Sequence, residues 1–143
     1  MDNEEKVSPS GFYRIRYLNS LNDNISSLYG FNGLGWFCSI ENENIRYFLE
    51  KCGYATANLQ ANDYGSTAFM QMVLVQKYNI ECEFGRVTED SGYTFEKNEY
   101  TLPIGFMASQ DISEFQMPED SPFDVQNALA TALCGKQHNI YTI

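Results

Sequence analysis

Residues 66–87 read STAFMQMVLVQKYNIECEFGRV, and this stretch decides which fold the chain can adopt. Its first part, residues 66–78, is apolar enough to form either a helix or a strand. Ser66 is a good N-cap and the run is about twelve residues long, which favours a helix that feeds a strand at residues 80–87. The rival interpretation pairs residues 69–76 with residues 80–87 as a β-hairpin.

Alternating apolar and polar residues predict further strands on both sides of this stretch. In residues 11–18 (GFYRIRYL), Tyr13, Ile15 and Tyr17 share one face, while Arg14 and Arg16 share the other. The strand predicted at residues 100–107 contains Pro103, which favours an edge position or a bulge because proline has no N–H to donate. We therefore expect strands at residues 11–18, 36–40, 80–87, 93–97 and 100–107, with a final one at 138–143.

Two more helices are predicted by capping residues and apolar spacing. Ile45, Phe48, Leu49 and Cys52 form one stripe after an Asn cap at 42 or 44, and Gly53 follows them. A third helix begins at Ser121-Pro122, with Asp124 at the third helical position, and ends at Gly135. With the helix at 66–78, about three helices and about five strands predict an α+β fold with one mostly antiparallel sheet.

The length of 143 residues and the hydrophobic content of 43% indicate a single domain with a real core. We expect residues 1–10 to be a flexible tail and residues 11–143 to be the globular domain. No apolar run approaches the roughly 18 residues that span a bilayer, and the N-terminus does not resemble a signal peptide. These features predict a cytoplasmic protein, either of a cell or of an infected host cell.

Negative charge is concentrated in the second half of the chain. The net charge is −10, and residues 81–124 carry eleven carboxylates against Arg86 and Lys97, a net −9. Because aromatic residues alternate with these acids, we expect a folded acidic face that grips a basic partner. The predicted partner-binding residues are Glu81, Glu83, Glu89, Asp90, Glu96, Asp111, Glu114, Glu119, Asp120, Tyr93 and Tyr100.

The acidic face favours a non-catalytic binding protein that neutralises a basic protein by steric and electrostatic blockade. An immunity protein, an antitoxin or a viral anti-defence inhibitor fits this description, with nucleic-acid mimicry as one version. The partner would be a nucleic-acid-binding enzyme or a toxin. Direct contact with nucleic acid or with a membrane is not expected, because the nine basic residues are scattered.

Two alternatives remain open from the sequence. In the first, a small enzyme or ligand-binding domain uses Gly30, Gly33 and Gly35, with Arg14 and Arg16, to hold an anionic group. The segment is not a P-loop, because no Lys-Ser/Thr pair follows it. In the second, the chain is a structural or assembly subunit.

Neither a metal, a cofactor nor a catalytic residue is expected. The four cysteines contain no C-x-x-C pair and the chain has a single histidine, so a zinc site is not predicted. Cys134 and His138 are the one close Cys/His pair. Cys134 falls at a predicted helix C-terminus, whose partial negative charge opposes a thiolate, so the pair is not assigned a catalytic role.

Overall fold

A computed structural model describes residues 11–19, 22–82, 93–119, 121–137 and 139–142, and in these residues it shows an α+β fold. The strands are β1 Arg14–Tyr17, β2 Trp36–Phe37, β3 Thr56–Ala57, β4 Gln60–Ala61, β5 Gln76–Cys82 and β6 Tyr93–Lys97. The helices are α1 Ile25–Tyr29, α2 Glu43–Lys51, α3 Ala68–Val73 and α4 Pro122–Cys134, with a 3₁₀ helix at Gln110–Glu114.

The strands form two three-stranded sheets, in the orders β1-β5-β6 and β2-β4-β3. The prediction of one sheet with about five strands is therefore corrected, whereas the mostly antiparallel pairing is confirmed, since three of the four described strand pairs are antiparallel. The first sheet is mixed, because β1 runs parallel to the central strand β5 while β6 runs antiparallel to it. The second sheet is antiparallel and its strands have only two residues each, which is too short for a period-2 pattern to be recognised.

Residues 66–82 fold as a helix followed by a strand, so the interpretation of residues 69–76 as the first strand of a hairpin is wrong. Thr67, not Ser66, caps α3, and its side chain accepts from the Met70 N–H. The helix ends at Val73 and β5 begins at Gln76, four residues before the predicted start. The abrupt change is made by Val75, whose φ of 61° lies in the left-handed region that a β-branched residue rarely adopts.

Helices α2, α3 and α4 pack around one apolar core. Asn42 caps α2 and Ser121 caps α4, with Pro122 in the first turn and Gly135 in a left-handed conformation after the last. The buried core consists of Leu49, Cys52, Tyr54, Ala61, Phe69, Met70, Val125, Leu129 and Ala130. The three helices that contribute to it, α2, α3 and α4, were all predicted, although α3 is shorter than expected, whereas α1 was not predicted.

Two predicted strands are absent from the described residues. Residues 100–107 form a loop, and residues 139–142 adopt no regular structure. Residues 1–10, with the predicted flexible tail, lie outside the described residues, as does the second half of the predicted strand 80–87. Within the part that the structure describes, no helix combines the length and the apolar character that crossing a bilayer requires.

Candidate functional site

A network of polar side chains joins the first residue of β5 to the segment that follows β4. The side chain of Gln76 is completely buried. Its Nε2 donates to Asp63 Oδ1 at 2.7 Å. Its Oε1 accepts from the Tyr54 hydroxyl at 3.2 Å and from Ser66 Oγ at 3.1 Å. Each polar atom of the Gln76 amide group therefore has a partner, as burial requires.

Burial raises the pKa of the Asp63 carboxyl group to about 6, although the hydrogen bond from Gln76 and the charges of Arg16 and Arg14 lower it. Among the described residues, no basic group forms an ion pair with this carboxylate. Burial also raises the pKa of the neighbouring Tyr54 hydroxyl well above its usual range. Perturbed titrating groups beside a cleft are typical of functional sites, so we take Asp63 as the centre of the candidate site.

A narrow pocket lies beside Asp63, with about 20 Å³ open to a water-sized sphere. Its lining combines carboxyl, amide, hydroxyl and aromatic groups, and none of the described residues that line it is basic. The lining residues are Tyr17, Asn22, Asp23, Ile25, Ser26, Phe31, Gly33, Gly35, Asn62, Asp63 and Tyr64. The pocket therefore offers acceptors and aromatic faces to a small group.

The arginines of β1 do not line this pocket. Arg14 Nη1 donates to the Leu74 carbonyl at 2.7 Å, and the guanidinium lies 4.9 Å from the centroid of the Phe12 ring. Arg16 Nη2 donates to the backbone carbonyl of Asp63 at 3.3 Å. Both arginines hold backbone groups, so the predicted anion site is not assembled with the glycine segment.

The glycines of the predicted segment have a packing role. A Cβ at Gly33 would stand 2.7 Å from Ser26 Cβ, and one at Gly35 would stand 3.1 Å from the Asp23 carbonyl. Small residues at these two positions allow α1 and the segment after it to approach closely.

The predicted partner-binding residues are distributed over several elements. The register places Glu81 and Glu96 on one face of the first sheet, because Glu96 pairs with Asn79 and Glu81 pairs with Thr94. Tyr93 pairs with Cys82 in the same ladder, and Tyr100 lies in the turn after β6. Elsewhere, Asp111 and Glu114 belong to the 3₁₀ helix, and Glu119 binds Lys51 at 2.7 Å. Glu83, Glu89, Asp90 and Asp120 lie outside the described residues.

One surface feature was missed by the sequence reading. Residues 100–107, here called the apolar loop, carry Tyr100, Ile104, Phe106 and Met107 with exposed fractions of 80%, 63%, 37% and 97%. The base of the loop is held by the Leu102 N–H, which donates to the Met72 carbonyl at 3.2 Å. Residues 100–110 contain no charged side chain, although they lie within the most acidic part of the chain. The absence of charged residues from 100–110 is the feature of the sequence that could have indicated this exposed loop.

The described residues give little evidence on the predictions that the chain has no catalytic residue and no metal site. Cys134 is the last residue of α4 and is exposed, and His138 lies outside the described residues. No cluster of three or more His, Cys, Asp or Glu side chains suited to a metal occurs in the described parts of the chain.

Comparison with known proteins identifies a family. The model of a family described as bacterial membrane protein YfhO matches residues 1–143. No curated protein matches the chain, and no solved structure matches it.

The family match corrects three sequence-based predictions. Membership of a membrane-protein family conflicts with the predicted function, an inhibitor that neutralises a basic partner. It also conflicts with the predicted classes of immunity protein, antitoxin and anti-defence protein, and with the predicted cytoplasmic location. The inference was wrong because net charge reports on association and solubility and does not identify a function. The carboxylates and tyrosines proposed to contact a partner stay predictions. The expectation that the chain contacts neither nucleic acid nor a membrane also stays a prediction.

Proposed function

Because the chain belongs to the YfhO family of bacterial membrane proteins, we propose that it forms an extramembrane domain that rests on the lipid surface through the apolar loop. The observation that carries this proposal is the exposure of Ile104 and Met107, at 63% and 97%, in an uncharged loop. Contiguous exposed apolar side chains mark interaction sites, whereas single ones are ordinary surface.

The chemistry of the apolar loop suits the boundary between headgroups and acyl chains. Tyr100 and Phe106 are aromatic, and such rings are enriched at the membrane interface. Ile104 and Met107 are purely apolar, and burial of such a side chain is worth about 1.5–3 kcal/mol. Partial insertion of these side chains should therefore give a weak and reversible contact with the lipid surface.

Only the side chains of the loop are expected to enter the lipid. The irregular backbone of residues 100–107 has N–H and C=O groups that the hydrocarbon core would leave unsatisfied. The rest of the described surface carries many charged side chains, including Glu96, Lys97 and Glu99 next to the loop. Both features support shallow contact, at the level of the headgroups.

Charge selects the kind of lipid. The net charge of −10 repels an anionic surface, and no run of Lys or Arg accompanies the loop. We therefore expect the chain to bind zwitterionic phosphatidylcholine vesicles better than vesicles that contain phosphatidylglycerol, with the difference largest at low salt. This preference separates apolar insertion from electrostatic attachment.

Co-sedimentation of the chain with phosphatidylcholine vesicles tests the proposal. The triple variant Ile104→Ser, Phe106→Ser, Met107→Ser should bind at least about tenfold more weakly, since a tenfold change corresponds to about 1.4 kcal/mol. Leu28, Ile40 and Ile45 are exposed apolar residues outside the loop, and the matched control replaces these three with Ser.

Equal losses in the loop and control variants would show that exposed apolar side chains act without a defined site, and would overturn the proposal. Unchanged binding by the loop variant would do the same. The proposal is the direct rival of the prediction that the chain makes no membrane contact, and a wild-type chain that remained in the supernatant would support that prediction instead.

A further inference from the structure

We propose that the pocket beside Asp63 binds an ammonium group, either as the free ion or as the head of a primary amine. The site is separate from the apolar loop, and the inference does not depend on contact with lipid. The proposed ligand is a cation, whereas the site that the sequence suggested would bind an anion.

The first argument is the electrostatic situation of Asp63. Its carboxylate accepts from Gln76 Nε2 at 2.7 Å, and no basic group pairs with it in the described parts of the chain. Arg16 is close, but its guanidinium donates to the backbone carbonyl of Asp63 and does not touch the carboxylate. Asp63 is half-buried, and the charges of Arg16 and Arg14 stabilise its carboxylate from a distance without an ion pair. A carboxylate that is partly removed from water gains from a cation in direct contact, and this position is left to a ligand.

The second argument is the chemistry of the lining. Asp23 and Asp63 bring two carboxyl groups to the pocket, and its lining, as far as the structure describes the chain, includes no lysine, arginine or histidine. The rings of Tyr17, Phe31 and Tyr64 complete the walls. Carboxylates attract a cation, and aromatic faces stabilise it further. An anion would meet only repulsion from the same side chains.

The third argument is size. A water molecule requires about 10–15 Å³ of such space, so the 20 Å³ in this pocket admits one or two groups of that size. An ammonium group is about as large as water and donates hydrogen bonds in several directions. A trimethylated ammonium is too large, and Mg²⁺ keeps several of its waters, for which the pocket has no room.

The protonation of Asp63 should control binding. The charged and titrating groups near it are Arg14 and Arg16 of β1, Tyr54 after α2, and Asp23, Tyr17 and Tyr64 in the pocket wall. Because the pKa of Asp63 is about 6, its carboxyl group is mostly ionised at pH 7.5 and mostly neutral at pH 5. Ammonium affinity should therefore fall as the pH is lowered through 6.

Nuclear magnetic resonance with isotope-labelled chain and methylammonium chloride tests the site. We expect saturable shifts of the backbone amides at residues 22–26 and 62–64 at pH 7.5, and at least tenfold weaker binding at pH 5. Tetramethylammonium chloride at the same ionic strength should leave these amides unmoved. Ammonium chloride in place of methylammonium distinguishes a site for the free ion from a site for an amine.

Variants complete the test. Asp63→Asn should weaken methylammonium binding at least tenfold, and Asp23→Asn, at a half-buried position in the wall, should also weaken it. Asp111→Asn, an exposed carboxylate outside the pocket, should leave it unchanged. If Asp63→Asn fails to fold, Asp23→Asn and the pH dependence decide the question.

Three results would overturn the proposal: equal shifts with tetramethylammonium, binding by Asp63→Asn and Asp23→Asn as tight as that of the wild type, or shifts confined to surface carboxylates away from residues 22–26 and 62–64.

Discussion

Gln76 Nε2 lies 2.7 Å from Asp63 Oδ1, and this hydrogen bond joins the two sheets. Gln76 begins the central strand of the first sheet, and Asp63 follows β4, the central strand of the second. Tyr54 and Ser66 bind the same Gln76 side chain from two further segments. A single buried amide thus fixes the relative position of four parts of the chain.

Gln76→Leu should lower the free energy of unfolding by about 2–4 kcal/mol, because it leaves Asp63, Tyr54 and Ser66 without their shared partner. Urea denaturation followed by circular dichroism measures the loss. Glu81→Gln, at an exposed position on the same strand, should change stability by no more than about 0.5 kcal/mol. A Gln76→Leu variant as stable as this control would mean that the network adds nothing to the fold.

The stability of the chain should depend on pH through Asp63. The carboxyl group ionises near pH 3.8 when exposed and near pH 6 in the folded chain. Between these values the folded chain keeps a proton that the unfolded chain has released, so stability falls as the pH rises and is then constant above about 6. The difference of about two pKa units corresponds to roughly 3 kcal/mol.

Asp63→Asn isolates this effect, because asparagine does not titrate. Urea denaturation of both chains at pH 4, 5, 6 and 7 should show the wild type losing about 2 kcal/mol more than the variant across the series, because part of the roughly 3 kcal/mol is lost only below pH 4. Parallel curves would show that Asp63 has an ordinary pKa in the folded chain.

Gly65→Ala should destabilise the fold by about 2 kcal/mol or more, for reasons of backbone conformation. Gly65 has a φ of 84°, and a Cβ there would overlap the carbonyl oxygen of Gly53. Gly105→Ala is the matched control, since its Cβ would meet nothing within 4 Å and its φ is not in the left-handed region. Thermal denaturation of the two variants should give a lower midpoint only for Gly65→Ala.

Local signals in the sequence predicted the elements whose structure is determined locally. The cap Ser121-Pro122 and the terminating Gly135 delimit α4 as expected, and alternation identified β1. The parallel pairing of β1 with β5 has no such signal, because it joins residues about sixty positions apart. Single-sequence periodicity reports on a strand and not on its neighbour.

The candidate site escaped prediction for the same reason. Asp63 follows Asn58 and Asn62 in a segment with the composition of a loop, where polar residues are common and single out no site. Its burial depends on contacts with Gln76 and Tyr54, from elements that the sequence does not place beside it. The acidic residues of 81–124 that the structure describes are mostly exposed, whereas Asp63, whose pKa is raised by burial, lies outside that stretch.

The cysteines provide a chemical test of the core. Cys38 and Cys134 are exposed, whereas Cys52 is fully buried and burial raises its pKa to about 12. In a Cys82→Ser background, maleimide at pH 7.5 should modify two thiols rapidly and the third at least about a hundredfold more slowly, because the thiolate and its exposure are both required.

Adding urea should bring the third thiol to the rate of the other two, and Cys52→Ala should remove the slow phase altogether. The carbonyl of Cys52 also accepts from Gln126 Nε2 of α4 at 2.8 Å, so access to the thiol requires α2 and α4 to separate. Rapid modification of all three thiols in the native chain would therefore mean that these helices do not enclose Cys52. The slow rate measures the free energy of opening of this part of the core.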